Sequence, residues 1–267
     1  MGLTIHYGLG VGSDKTIAEV KEMVGKFRSA CMDLPFAEVG ELIHLRGDEC
    51  DWEKLDKEDP NRWLLIQAQS YVQYTDDWHG VKANKDFESG SIHRGVSPKR
   101  VIAFEAWPGE GCEVSNFGLC LFPKTIQVQS KYTGRNHRLK VPNSDKWSWR
   151  SFCKTQYANQ VSLEHFLTCH GVVVRALDIA KDLGFDVEVS DEGNYWENRD
   201  LEALAKEIGE WDQYLAAFAG KLKDSLGEGE TIVAPITERS DFEHLEAEGQ
   251  DKVGLDSINL KGLAETS

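Results

Sequence analysis

The sequence predicts an α+β fold: one or more mainly antiparallel sheets covered by two or three long helices. Two observations carry this. Short runs alternate apolar and polar residues, the period of half-buried strands, and three longer runs repeat apolar residues every three or four positions. The strands between Val101 and Tyr157 also follow one another through short links, which favours antiparallel neighbours over a regular α/β alternation.

The elements follow in order. Leu3, Ile5, Tyr7 and Leu9 alternate with Thr4, His6 and Gly8 as a strand, and Gly8 to Ser13 reads as a glycine-rich turn. Thr16 with Glu19 forms a capping box for a helix whose stripe is Ile17, Val20, Val24, Phe27 and Cys31. Val39 to Leu45 returns as a strand, so the chain opens β-α-β. An acidic loop from Asp48 to Pro60 leads into an expected strand from Trp63 to Val72, and residues 75–98 read as a polar, mobile insertion. Val101–Trp107, Thr125–Ser130 and Arg150–Tyr157 are further strands. Ser162 caps a second helix that Gly184 closes, and Val187 and Val189 mark a short strand. A third helix from about Asp200 to Leu226 carries Leu201, Leu204, Ile208, Trp211, Leu215, Phe218 and Leu222 on one stripe. Packing onto its own sheet is the expected role of that stripe, with self-association through 201–222 as the alternative. The expected organisation is a single domain over 1–236, with related β-α-β-containing halves at 1–130 and 145–236. An acidic, loosely ordered tail is expected over 237–267.

Composition narrows the classes. The chain has 267 residues, with 40% hydrophobic and 28% charged, the profile of an ordinary globular protein. No apolar run approaches a membrane span, and the first residues lack the basic and apolar regions of a signal peptide. Six cysteines without a CxxC pair argue against zinc ribbons and thioredoxin-type motifs, and reduced thiols fit a cytoplasmic location. The net charge of −15 is uneven. Asp186 to Asp212 and Glu228 to Ser267 hold the whole excess, whereas Lys124 to Lys154 is basic.

Five segments hold candidate chemistry. The glycine run before Lys15 lacks the spacing of a phosphate-binding loop, because Asp14 precedes the lysine, and reads as a turn. His165 and Cys169 share a helix face at metal-ligand spacing, while His170 falls on the apolar face as a buried structural or catalytic histidine. The loop from Ser190 to Asp200 gathers Asp191, Glu192, Glu197, Asp200, Arg199, Tyr195 and Trp196. Carboxylates there can hold a divalent cation (candidates Asp191, Glu192 and Glu197) or act as acid and base, against the plainer reading of a solvated loop that caps the next helix. Trp107 to Cys112 is a turn in which two glycines flank Glu110, and Cys153 beside Lys154 is a candidate nucleophile. Lastly, Lys131, Arg135, Arg138, Lys140, Lys146 and Arg150 interleave with Tyr132, Trp147 and Trp149, as in surfaces that bind nucleic acid or an acidic partner.

The leading expectation is a small-molecule or catalytic cleft where strand ends meet, with hydrolysis as the reaction class that the carboxylates suggest. Its catalytic candidates are His170, Cys153, Lys154, Asp191 and Glu192, with Trp107, Glu110, Tyr195, Trp196 and Arg199 binding the ligand. The cofactor expected is none or a divalent cation. The alternative is a non-catalytic protein that binds nucleic acid or an acidic partner through 124–154.

Overall fold

A computed structural model describes residues 3–74, 92–130, 134–225 and 235–253. The strand β1 (Thr4–Val11) runs into α1 (Ile17–Met32), and the short strands β2 (Glu38–Val39) and β3 (Ile43–Arg46) follow. Two 3-10 turns lead to α2 (Arg62–Gln67), β4 (Ser70–Tyr74) and β5 (Ile92–Val96). Next come β6 (Arg100–Trp107), β7 (Ser115–Leu121), β8 (Thr125–Gln129), β9 (Asn136–Lys140) and β10 (Trp147–Lys154). The chain continues through α3 (Leu163–Asp182), β11 (Asp186–Asp191), α4 (Tyr195–Asn198), α5 (Leu201–Ser225) and α6 (Phe242–Val253).

Among the described residues the main sheet has seven strands in the order β11-β1-β10-β7-β6-β2, with β3 also paired to β6, and every pairing is antiparallel. Because β10 and β11 both run against β1, they are parallel to each other, and β10-α3-β11 is a split β-α-β unit. Hairpins β4–β5 and β8–β9 form two small separate sheets. The fold is α+β, as the sequence predicts.

Local chemistry explains the helices. Thr16 and Glu19 cap α1 reciprocally, and α1 buries Val20, Val24, Phe27 and Cys31. Ser162 accepts the His165 N–H to start α3, and Gly184 ends it at φ +89, a conformation that costs glycine little. Both helices join the main core against Tyr7, Leu9, Phe104, Phe117 and Trp149. Phe27 makes edge and tilted contacts with Phe104, Phe117 and Phe185.

The hydrogen-bond ladder between β10 and β7 is broken. β1 and β10 pair over eight positions and β6 and β7 over seven, but β10 and β7 share only Ser148 opposite Cys120. Side chains fill the gap. Tyr7 Oη and Trp149 Nε1 both donate to the Asn116 carbonyl, at 2.9 and 2.7 Å. Asn116 Nδ2 and Ser151 Oγ donate to Gln67 Oε1 at 2.6 and 3.0 Å. The backbones rejoin where Glu113 N–H donates to the Lys154 carbonyl.

Several elements differ from the sequence reading. Trp63 to Gln67 lies in helix α2, where adjacent Leu64 and Leu65 are both buried, which a strand with one buried face could not achieve. Gly8 and Gly10 extend β1, and the turn itself is confined to Gly12–Lys15. Strands β5, β7 and β9 went unread, and β5, paired with β4, occupies the described end of the expected insertion. The third helix has the expected span, but Leu201, Leu215 and Phe218 are exposed. After Trp211 its buried side shifts to Asp212, Ala216, Ala217 and Ala219, and Ala216 and Ala219 cluster with Ile236, Phe242 and Leu245 around α6. The described part of the expected loose tail is therefore helical and docked. Residues 75–91, most of the expected insertion, and 254–267, the end of the expected tail, lie outside the described residues. Among the described residues no helix is long and apolar enough to cross a membrane.

Candidate functional site

Two polar regions are built on the same sheet, one at its end and one on its face. The C-terminal ends of β6, β10 and β11 meet the N-terminal ends of β1 and β7, and most of the residues expected from sequence lie there. His170 Nε2 sits 3.1 Å from Asp191 Oδ2, and His170 Nδ1 sits 2.9 Å from Thr155 Oγ1. With the proton on Nε2, the ring donates to the carboxylate and accepts the threonine hydroxyl. Asp191 also receives the N–H groups of Gly193 and Trp196, both at 2.9 Å. Burial pushes the Asp191 carboxyl up, but the His170 bond and charge and the two backbone donors outweigh it and leave the group below the ordinary carboxylate range. The chemical order hydroxyl–imidazole–carboxylate is that of an acid-base relay. Thr155 and His170 are both 0% exposed, so no substrate reaches the hydroxyl. The trio ties the end of β10 to α3 and β11.

Most of the remaining expected residues are also held in structural bonds. Arg199 makes a two-pronged pair with Asp178 at 2.8 and 2.9 Å and stacks over the Trp196 ring, fastening the acidic loop to α3. Tyr195 meets the His170 ring edge-on. Glu192 accepts the Thr4 N–H, and Glu197 is exposed. Asp200 accepts the N–H groups of Glu202 and Ala203 and so caps α5. Asp191, Glu192 and Glu197 do not converge: among the described residues no group of three His, Cys, Asp or Glu side chains could hold a metal ion. Cys153 is buried, its thiol donates to the Glu113 carbonyl, and burial pushes it up to about 12. Lys154 is half-buried at the end of β10. Trp107 Nε1 donates to the Cys112 carbonyl, and the Glu110 carbonyl lies 3.0 Å from His165 Nε2.

The second region is a cleft of about 880 Å³ on the sheet face opposite α1 and α3. Its floor crosses three strands. The register sets His6 beside Phe152 and Ser190, then Gly8 beside Arg150 and Glu188. Gln67 to Tyr71, from the end of α2 into β4, form part of the wall, and Phe122, Pro142 and Asn143 complete the lining. Ser148, Trp149 and Ser151 also contribute. Gln67 is fixed through its oxygen by Asn116 and Ser151, and its amide nitrogen has no partner among the described residues. Arg150 and Glu188 form an exposed pair at 3.6 Å, and His6 Nε2 lies 3.9 Å from Glu192 Oε1. None of the catalytic or ligand-binding residues of the leading expectation lines this cleft, although Pro142, Asn143 and the run from Ser148 to Phe152 belong to the 124–154 segment expected to bind a nucleic acid or an acidic partner. The signal that could have found it is the strand alternation itself: Ser148, Arg150, Phe152 and Lys154 occupy the face of β10 opposite Trp147, Trp149, Ser151 and Cys153.

The basic segment folds as β8, β9 and β10. Trp147 and Trp149 are 3% and 2% exposed, so their rings serve the core and do not face a nucleic acid. Lys131 and Tyr132 lie outside the described residues. Comparison of the chain with protein-family models, with curated proteins and with solved structures found no match.

Proposed function

We propose that the protein binds a small, uncharged, hydroxyl-bearing ring compound, of the sugar or nucleoside class, in the cleft on the sheet face. The observation that carries this is the lining: the rings of Tyr71, Phe122 and Phe152 beside the amides of Gln67, Gln69 and Asn143 and the hydroxyls of Ser148 and Ser190. A volume of about 880 Å³ suits a small ligand. Amides and hydroxyls both donate and accept, which matches ligand hydroxyls, whereas an anion would call for several free cations. Arg150 already faces Glu188, so the lining offers little net positive charge to a phosphate or carboxylate.

The test is a titration of the full chain with a panel of nucleosides and mono- and disaccharides, read by tryptophan fluorescence and calorimetry. Saturable binding is expected, and Gly8→Leu, which places a side chain on the cleft floor, is expected to abolish it while the protein stays folded. Absence of binding across the panel, or undiminished binding by folded Gly8→Leu, would overturn the assignment.

A further inference from the structure

One rung of the cleft floor carries no side chain at its centre. The positions of β1 on this face are His6, Gly8 and Gly10; Gly10 is buried, so Gly8 is the open part of the floor. Arg150 on β10 and Glu188 on β11 flank Gly8 and lean toward one another over it. A Cβ built on Gly8 would lie 3.7 Å from Glu188 Oε2, so the carboxylate reaches back over the strand. The 3.6 Å between Arg150 Nη2 and Glu188 Oε2 is longer than a hydrogen bond, and neither side chain has another ion pair or hydrogen bond among the described residues. Both are open to a ligand, at 77% and 78% exposed. Glu188 thus keeps its acceptor positions free while Arg150 offsets its charge. Two residues along β1, about 7 Å away, the rings of His6 and Phe152 lie 5.9 Å apart beside Ser190.

Given the cleft as the ligand site, we propose that Glu188 reads a vicinal diol, each carboxylate oxygen accepting one of two adjacent hydroxyls on a sugar ring that lies over Gly8. A carboxylate has two coplanar oxygens whose lone pairs turn the same way, so neighbouring hydroxyls can donate to it in parallel. Bonds to an ionised acceptor are roughly twice as strong as those between neutral groups. The amides and serine hydroxyls elsewhere in the lining carry no charge, so a ligand without adjacent hydroxyls forgoes the strongest acceptor of the cleft.

The Arg150–Glu188 gap also selects against the alternatives. An amine would suit Glu188 but meets the like charge of Arg150, and a phosphate or carboxylate would suit Arg150 but meets Glu188. A hydroxyl satisfies both sides at once, because it donates through its proton and accepts through its lone pairs. His6 and Phe152 then offer ring surface to the group that the sugar carries, a nucleobase or a second sugar.

The experiment measures binding of the full chain, by calorimetry, to matched compounds with and without a vicinal diol. Adenosine and uridine are set against their 2′-deoxy forms, and methyl galactopyranoside and methyl mannopyranoside against their 3-deoxy forms. The pair that binds tells a nucleoside from a free sugar. Within it, the wild type is expected to favour the diol by about tenfold or more. Glu188→Gln alters an exposed side chain and should keep the fold; it is expected to lose that preference while binding the deoxy compound about as well as the wild type does. Asp186→Asn, beside Gly10 and outside the cleft lining, is expected to retain the preference. Equal affinity for both members of every pair, a preference retained in Glu188→Gln, or a preference lost in Asp186→Asn would overturn the diol assignment and leave the cleft as a ligand site. Absence of binding by every compound would overturn the cleft reading itself, and the diol with it.

Discussion

The sealed end of the sheet and its open face are made from the same residue types, yet they do opposite work. At the end, Thr155, His170 and Asp191 bond one another and the Gly193 and Trp196 N–H groups, away from water. On the face, His6, Ser148, Arg150, Glu188 and Ser190 come from β1, β10 and β11 and line an open cleft. What separates the two regions is cover. Helix α3 and the Asp191–Asn198 loop close over the first, and the second faces solvent between strand face and the Gln67–Tyr71 wall. A histidine beside a carboxylate therefore marks chemistry only where something else can enter.

The largest expected effect lies at the sealed end. Asp191→Ala leaves His170 buried without its charged partner, and breaking such a pair costs about 3–5 kcal/mol. Chemical denaturation of this variant should show a loss of that size, with no change in ligand affinity if enough protein stays folded. A loss below about 1 kcal/mol would erase the contrast between the regions.

Next in size is the seam that joins them. Gln67→Leu strands the Asn116 and Ser151 donors, at a cost of about 1–3 kcal/mol. Because Gln67 also lines the cleft, the same variant should weaken ligand binding, so both denaturation and titration should respond. An effect on only one would show that the seam and the cleft are separable.

The acid limb of the stability profile sharpens the comparison further. The folded-state pKa of Asp191 lies below its ordinary 3.8, so the stability it contributes is fully present above that value and is lost as pH falls through the folded pKa. The gap between wild type and Asp191→Asn should accordingly be constant above about pH 5 and shrink below about pH 4. Asp212 runs the other way. Burial holds it above 3.8 despite Arg239 and Asn159, so its contribution is greatest in acid and declines as pH rises past 3.8 toward the folded value. A gap for Asp191→Asn that widened in acid would contradict the bonding described here.

The smallest effect belongs to the open face. Arg150→Ala should alter stability by no more than about 0.5 kcal/mol, because its pair with Glu188 is exposed on both sides. A larger change on denaturation would mean that this face is less open than its partner region implies.

The sequence made the helices legible because their ends are written locally. Thr16 with Glu19, and Ser162 with Gly184, act over three residues or at a single backbone angle. The central strand β7 left no such trace. Ser115 to Cys120 is buried on both faces, so Ser-Asn-Phe-Gly-Leu-Cys shows no alternation to read. The α5 stripe was legible as a helix but not in its docking. Past Trp211, Ala216 and Ala219 pack toward α6, and short side chains add little to an apolar periodicity. His170 was legible as buried because the helix register places it among Phe166, Val173, Val174 and Leu177. Its partners Thr155, just past β10, and Asp191, at the end of β11, lie fifteen residues before and twenty-one after it, and only the fold brings them to it. The cleft was illegible for a related reason. It consists of solvent-facing positions on three strands whose order, β11-β1-β10, is not their order in the chain.

The broken ladder between β10 and β7 divides the cooperativity of the sheet. Strands β11, β1 and β10 are knit together by backbone bonds, as are β7, β6, β2 and β3, and the two blocks are riveted by Tyr7, Trp149, Asn116 and Gln67. Amide protons within each block should therefore exchange with solvent as a group, at an opening free energy of its own. The amides of β7 and β10 that face the gap should be the first in the sheet's interior to exchange, since they border the line along which the two blocks part.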